Sequence, residues 1–417
     1  MQSRWHWIVA RLGRRLWVKV SLYVVLAIAA ALCTPLVAPY LPPGLGTYLG
    51  ADSLDDVLKI LASSMLVVAT FSISGMLAAF GSIVSTASPR AARLLIEDSK
   101  AQNALGTFVG SFLFGLVAIM ALSADYYSND GKLLLFAITI VVVVLIVGTL
   151  LNWIDLLSRL GQIRTAIDFV ADRAIETARM RRDDPFLGGQ PFAGEVMLDY
   201  PIRAKRIGYV QHIDMAALQA VAERLGGEMQ VAVLPGALVD PTQPLAWLVR
   251  APSEEEAEHV RAAFGIDRQR SFDQDPRFGL IVLSEIGCKA LSPGINDPGT
   301  AIAVIGALMR ALGVWTERGE EAEPRCPRVQ VPSISAEDLF DDAFLGLGTY
   351  GAAHLAVGIR LQKALVSLAR TGDAGFVRAA QHQSALALKR ARQALTIEED
   401  IARLESAAKQ VATGRAA

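Results

Sequence analysis

Cysteine, histidine and net charge are all scarce in this sequence. Cys33, Cys288 and Cys326 stand far apart with no C-x-x-C, which argues against a disulfide framework and a zinc knuckle. The histidines, His6, His212, His259, His354 and His382, include no i, i+4 pair, so no metal site is assigned. Lys and Arg number 40 against 41 Asp and Glu, leaving a net charge of −1 and no electrostatic footprint for nucleic acid. A phosphate loop, a dinucleotide fingerprint and a Gly-x-Ser-x-Gly elbow are all missing. No catalytic or cofactor-binding residue is assigned, and the chain reads as a non-enzyme.

Charged residues are also sparse, at 19% against about 25% in soluble domains. Apolar residues make up 53%, concentrated in the first 155 positions. Val20–Ala38, Ile60–Ser88, Ala104–Ala124 and Leu133–Ile154 carry no charge. At 19, 29, 21 and 22 residues they reach or exceed the roughly 17–25 residues that a helix needs to cross a bilayer, so four transmembrane helices are expected. A cleavable signal peptide is the rival reading of the first run, but Leu32 ahead of Cys33 spoils a lipoprotein signal.

Basic residues set the orientation. Arg4, Arg11, Arg14, Arg15 and Lys19 precede the first run, Arg90, Arg93 and Lys100 follow the second, and Arg159, Arg164, Arg173, Arg179, Arg181 and Arg182 follow the fourth. The first loop instead holds Asp52, Asp55 and Asp56. Both termini are therefore expected on the cytoplasmic side of the membrane. Residues 4–19 read as an interfacial helix or simply as a basic topogenic patch: Trp5, Ile8, Val9, Leu12 and Leu16 share one face, Arg4, Arg11 and Arg15 another.

Beyond the spans, Asp155–Arg182 has amphipathic helical spacing and is expected to extend the fourth span. A βαβ-type module follows, with strands at Ile207–Ile213, Met229–Leu234 and Leu245–Val249. Its helices are capped by Asp214 and by a Ser253/Glu256 capping box. Phe278–Leu291, Thr300–Trp315, Ala343–Ala369, Asp373–Leu395 and Ile397–Val411 read as helices, the last with Thr396 and Glu399 as a second capping box. Thr316–Ser333 is polar and Pro-rich, and reads as a mobile connection or lid. The expected fold class is membrane α, four transmembrane helices followed by an α+β cytoplasmic domain. Its parts are residues 1–155, the transmembrane domain with the interfacial helix; 156–200, a linking amphipathic helix and linker; 201–270, a small α/β module; and 271–417, a mainly helical region.

Several motifs carry a family resemblance. They are Ser88-Pro89-Arg90, Asp98 with Gln102, Gly106-Thr107-Phe108, Gly208-Tyr209-Val210 with Asp214, and Asp275-Pro276-Arg277-Phe278-Gly279. The most specific is Ala290-Leu291-Ser292-Pro293-Gly294-Ile295-Asn296-Asp297-Pro298-Gly299-Thr300-Ala301. Together they resemble the bacterial predicted membrane proteins called domain of unknown function 2254, over essentially the whole chain. The resemblance implies an integral membrane protein with four N-terminal spans and lends no activity.

Two stretches are candidate sites. Ser63, Thr70, Ser74, Gly81, Ser85 and Ser88 recur at spacings that keep them near one helical face. Such a stripe suits a hydrated path, because hydroxyls replace water without a fixed charge. Small-residue packing uses the same residue types. The candidate pore-lining residues are Ser63, Thr70, Ser74, Gly81 and Ser85. Ser292, Asn296, Asp297 and Thr300 form a candidate loop for a small polar or anionic ligand beside a helix N-terminus, although Asp297-Pro298 equally reads as an N-cap with proline at N1. Asp273 and Asp275 read as a helix-start cap, and Gly106-x-x-x-Gly110 as bundle or subunit packing. The committed reading is a homo-oligomeric channel or pore in the lipid bilayer, gated by the cytoplasmic domain. The alternative is a membrane-anchored sensor or scaffold without transport activity.

Overall fold

The computed structural model describes residues 12–13, 15–37, 51–96, 98–192, 199–317, 319, 323–371 and 373–413, without the side chains of 51–53, 95, 96 and 413. Residues 4–11 of the expected interfacial helix, and most of the first loop, lie outside these. The chain divides into two compact units. The first comprises residues 9–85 and 92–165; the second comprises 86–91 and 166–417.

The first unit is helical. Its elements are α1 (Leu16–Leu32), α2 (Ala51–Thr86), α4 (Ser99–Ser123) and α5 (Asn129–Arg159), with α3 (Pro89–Ile96) running across the boundary between the units. A single turn, Thr34–Val37, follows α1. α4 sits centrally, burying Gln102, Leu105, Phe108, Phe114 and Ala118. It meets α1 through glycine: a Cβ on Gly106 would lie 2.6 Å from the Tyr23 ring, and one on Gly110 would lie 3.2 Å from the Tyr23 carbonyl. The Gly106/Gly110 pair therefore serves packing within the bundle. Gly115 does the same against Ala62 and Leu58 of α2. Outward, α1 exposes Leu22, Val25 and Leu26, α2 exposes Val67, Phe71 and Leu77, and α5 exposes Val144, Leu145 and Leu151. Apolar faces of this extent suit lipid, not water.

Two boundaries differ from expectation. α2 begins at Ala51, so Asp55 lies inside the helix and pairs with Lys59, instead of in a loop. It ends at Thr86, because the residue before a proline is driven out of the helical region; Ser88 precedes Pro89 and leaves the stripe. α5 stops at Arg159 instead of running on, and Gly161 turns the chain at φ +94° into α6 (Ile163–Asp183), which belongs to the second unit from Ala166 onward.

The second unit combines two small sheets with a helical cluster. One sheet has the order β1 (Gln190–Pro191), β8 (Val329–Val331), β4 (Met229–Val231), β6 (Pro244–Leu248), β2 (Tyr200–Arg203). The other is β5 (Leu238–Val239), β3 (Gly208–Ile213), β7 (Phe264–Asp267). The helices α7 (Met215–Leu225) and α8 (Glu254–Ala263) accompany them. Asp214 caps α7, Gly226 closes it at φ +66°, and the Ser253/Glu256 capping box is present in full.

This is not a simple βαβ arrangement. β3 and β4, expected to flank one helix in one sheet, fall in different sheets, and β4 pairs antiparallel with β6. The expected lid supplies β8, an interior strand of the larger sheet that pairs in parallel with both β1 and β4 and buries Val329 and Val331 completely. Val-Gln-Val is too short to register against the polar, proline-containing sequence around it.

The helical cluster comprises α9 (Pro276–Ala290), α10 (Pro298–Gly313), α11 (Ala336–Tyr350), α12 (Leu355–Ala369), α13 (Ala374–Ala394) and α14 (Glu398–Thr413). The single helix expected over Ala343–Ala369 is two, broken at Gly351–His354. There Gly351 closes α11 through its N–H to the Leu347 carbonyl, and a Cβ at Gly351 would stand only 2.6 Å from that oxygen. α14 begins at Glu398, two residues past Thr396.

Among the described residues, four helices are long and apolar enough to cross a membrane: Leu54–Thr86, Ser99–Ser123, Asn129–Arg159 and Pro298–Thr316. α1, the expected first span, is apolar but shorter at 17 residues. The fourth of these is α10 with its terminal turn. It buries Ala301, Val304, Ile305, Leu308 and Leu312 and packs on α9 and α12 inside the second unit.

Candidate functional site

All five candidate pore-lining positions, Ser63, Thr70, Ser74, Gly81 and Ser85, are exposed on the outward face of α2. Leu58, Leu61, Met65, Ala69 and Ser72 occupy the buried face. Among the described residues, the stripe is therefore not consumed by packing. Among the described residues, nothing outside the local helix backbone comes within 4 Å of a Cβ placed on Gly81. Each hydroxyl donates back to its own helix: Ser63 to the Lys59 carbonyl at 2.9 Å, Thr70 to Leu66 at 2.8 Å, Ser74 to Thr70 at 3.0 Å and Ser85 to Ser82 at 2.7 Å. Val67, Phe71 and Leu77 stand beside them on the exposed surface, so the face alternates hydroxyl and apolar patches.

The Ser292–Thr300 loop is a turn closed on itself. The Ser292 carbonyl accepts from the N–H groups of Ile295 (3.0 Å) and Asn296 (2.8 Å), and Asn296 sits at φ +50°. Asp297 caps α10, accepting from the Thr300 N–H at 3.0 Å and the Thr300 hydroxyl at 2.6 Å, with Pro298 at N1. These bonds hold the Asp297 carboxyl below the usual carboxylate range, the Thr300 hydroxyl contributing most. Ser292 donates to the Lys289 carbonyl at 2.6 Å. The polar atoms of this loop are thus largely spent on holding the α9–α10 connection.

The other resemblance motifs take similar roles. Ser88 stands at the N-cap position of α3, where its hydroxyl accepts from the Arg90 N–H at 3.2 Å and donates to Glu285 of α9 at 3.1 Å; Arg90 pairs with the same carboxylate. Asp98 caps α4 through the N–H groups of Lys100 and Ala101. Asp275 caps α9, accepting from Arg277 and Phe278, and also takes a two-pronged bond from Arg270 at 2.7 and 3.0 Å. Burial pushes the Asp275 carboxyl up, and the Arg270 guanidinium opposes that shift. A Cβ at Gly236 would fall 2.4 Å from the Asp275 carboxylate, so only glycine, here at φ +96°, fits. Gly279, one turn further along α9, meets Ala174 of α6 so closely that a Cβ would lie 2.5 Å from the alanine methyl. α6 is thereby brought against the start of α9.

A residue absent from the candidates is the most unusual polar group in the second unit. Arg181 lies on the buried stripe of α6, in line with Val170, Ala174, Thr177 and Ala178, and is only 3% exposed. Among the described residues, none accepts a hydrogen bond from its Nε, Nη1 or Nη2. Its helical spacing from Ala174 was the signal available in the sequence. Among the described residues, no group of three or more His, Cys, Asp or Glu could hold a metal ion.

The comparisons with known proteins give this framework a family. The uncharacterized protein Rv1290c of Mycobacterium tuberculosis and the uncharacterized protein Mb1321c of Mycobacterium bovis are each 30% identical over 124 residues. The match covers 28% of this chain, and this chain spans 24% of the length of either relative. No solved structure matches. A family model described as "Predicted membrane protein (DUF2254)" matches residues 13–367, and the chain belongs to that family of predicted membrane proteins.

Proposed function

We propose that this protein is a non-enzymatic, homo-oligomeric channel or pore of the bacterial inner membrane, whose conducting path is lined by the hydroxyl face of α2 from several copies. The observation that carries the reading is the outward placement of Ser63, Thr70, Ser74, Gly81 and Ser85 together. A face unused inside the chain is free to meet its equivalents around an axis. Hydroxyls along a span let water follow them without the cost of a buried charge.

In this reading α1, α2, α4 and α5 are the spans, both termini are cytoplasmic, and the second unit is a cytoplasmic gating domain. α10 stays in the core of that domain. Its apolar stripe is already covered by α9 and α12, whereas α1 presents Leu22, Val25 and Leu26 outward. Arg159, Arg164 and Arg173 after α5 support the orientation.

One feature favours the second reading, a membrane-anchored sensor or scaffold. Because each hydroxyl of the stripe already donates to its own helix, the face also tolerates lipid without a partner. Bilayer reconstitution separates the two. Unitary currents in the wild type that fall or vanish in Thr70→Leu and Ser74→Leu, with assembly intact, support the channel. Absence of current under voltage, tension and osmotic challenge, with cysteine replacements at both positions unreactive to aqueous labels, leaves the anchor. A reporter fused after Arg182 tests orientation, and periplasmic activity of that fusion would overturn it.

A further inference from the structure

The strongest unexplained feature of the second unit is a buried guanidinium to which none of the described residues offers a hydrogen-bond acceptor. Arg181 is 3% exposed, and none of its three nitrogens donates a hydrogen bond to any described residue. Arginine stays protonated under almost any condition, and its fork of N–H groups is built to be used in full. Burial draws its pKa down to about 10, which still leaves it charged at neutral pH. A buried cation without acceptors is among the costliest arrangements a fold can contain.

The carboxylates whose charge reaches Arg181 are those of Asp184 and Asp275, and both are committed elsewhere. Asp275 takes two bonds from Arg270 and two from the first N–H groups of α9. Asp184 pairs with Arg325 and accepts the Gly188 N–H. Moving either to Arg181 would release another arginine and, for Asp275, uncap a helix. The surrounding backbone is already shaped: Leu187 at φ +55° and Gly188 at φ +82° fold the Asp184–Gly189 loop back over the end of α6, and Arg325 lies against Gly188 on the solvent side.

We propose that Arg181 is the anchor of a binding site for a small free oxyanion, a phosphate or a carboxylate, at the buried end of α6, beside Asp184 and the Asp275 cap of α9. The planar guanidinium matches the two oxygens of such a group. The site is distinct from the Ser292–Thr300 loop and does not depend on whether α2 lines a pore.

The test uses the full-length protein in neutral detergent. Its melting temperature is followed as inorganic phosphate or acetate replaces chloride at constant ionic strength, and phosphate binding is measured directly by calorimetry. A saturable rise in melting temperature with at least one of the two anions is expected for the wild type, since a ligand that binds only the folded state stabilises it. The anion that acts identifies the preferred oxyanion. Arg181→Met, which removes the charge but keeps much of the volume, should melt at or above the wild-type temperature in chloride and show no anion-dependent rise. Arg181→Lys should keep a weakened rise, because an ammonium supplies a point charge without the fork. A wild type that responds to neither anion and shows no binding heat overturns the proposal. So does an Arg181→Met protein that retains the wild-type response. Should Arg181→Met fail to fold, the wild-type titration and Arg181→Lys still decide.

Discussion

Hydroxyls bond back to their own helices in both units of this chain, as Thr349 does to the Leu345 carbonyl at 2.8 Å in the second, but the units differ in how often polar side chains tie separate elements together. In the first, hydroxyls bond to the helix that carries them: Thr34 to Ala30, Thr70 to Leu66, Ser74 to Thr70, Thr139 to Leu135. Bonds between elements occur near helix ends, as from Tyr127 to the Ala31 carbonyl and from Ser82 to Gly161. In the second unit, polar groups tie separate elements together. Ser384 donates to Gln362 across α13 and α12 at 2.6 Å, Thr177 of α6 donates to the Phe272 carbonyl at 3.1 Å, and the Gln274 side chain accepts from the Ile213 N–H of β3 at 2.9 Å. On the proposed reading, with the first unit in the bilayer and the second in the cytoplasm, the solvent explains the difference. A helix in hydrocarbon must satisfy itself before it meets a neighbour, so its neighbours are held by shape, as at Gly106 against Tyr23. A domain in water can leave polar groups to find each other across its interior.

That contrast breaks or sharpens under mutation. The largest effect is expected in the second unit, at Asp275→Ala. It strips Arg270 of its partner and α9 of its cap, and should cost about 3–5 kcal/mol by denaturant titration of that unit; a loss near that of a surface substitution would show that the Arg270 pair contributes little. In the first unit the comparable injury is steric. Gly106→Ala drives a methyl into the Tyr23 ring and should cost about 1–3 kcal/mol, read as thermal stability in detergent. Gly81→Ala, with open space around it, should be neutral or stabilising by up to about 1 kcal/mol; equal losses at both glycines would remove shape as the organising force.

Asp297→Ala should cost about 0.5–2 kcal/mol, while Asp297→Asn keeps most of the cap. The folded carboxyl titrates below its unfolded value. Its contribution is therefore complete above the ordinary carboxylate value of about 3.9, and is lost as pH falls through the lower folded value. The gap between wild type and Asp297→Ala should close over that acid range in pH-dependent melts. The smallest effect belongs to Thr70→Val, about 0.5 kcal/mol or less, because the lost bond runs to the residue's own helix. Ser384→Ala, which breaks a bond between helices, should cost more, about 1 kcal/mol or above. Reversal of that order, measured by the same melts, would undo the comparison.

The motifs that carried the family resemblance were legible for a reason that differs from chemistry at a reaction centre. Ser88-Pro89, Asp275-Pro276 and Asp297-Pro298 all place an oxygen-bearing side chain at N-cap and proline at N1. Their prominence in the sequence reflects local rules that need no tertiary context. The Ser253/Glu256 box and the Asp214 cap were readable on the same grounds. β8 was not, since three residues between prolines have no periodicity to detect, and its place beside β4 comes from pairing across nearly a hundred residues. The break at Gly351 escaped because Gly-Ala-Ala-His lacks a strong helix breaker; contact geometry around Leu347 makes the glycine matter.

What the amino-acid sequence determined by itself was the local and the solvent-facing: apolar runs long enough for a bilayer, the bias of arginine and lysine between loops, and the caps that start helices. Those follow from interactions within a few residues, or between one segment and its medium. The tertiary structure alone decided which faces were spent. It turned the hydroxyl stripe of α2 outward, made α10 a core helix of the second unit, and buried Arg181 with no described residue accepting a hydrogen bond from its guanidinium. Burial and pairing depend on which distant segments arrive at the same place, and no window of the sequence contains that information.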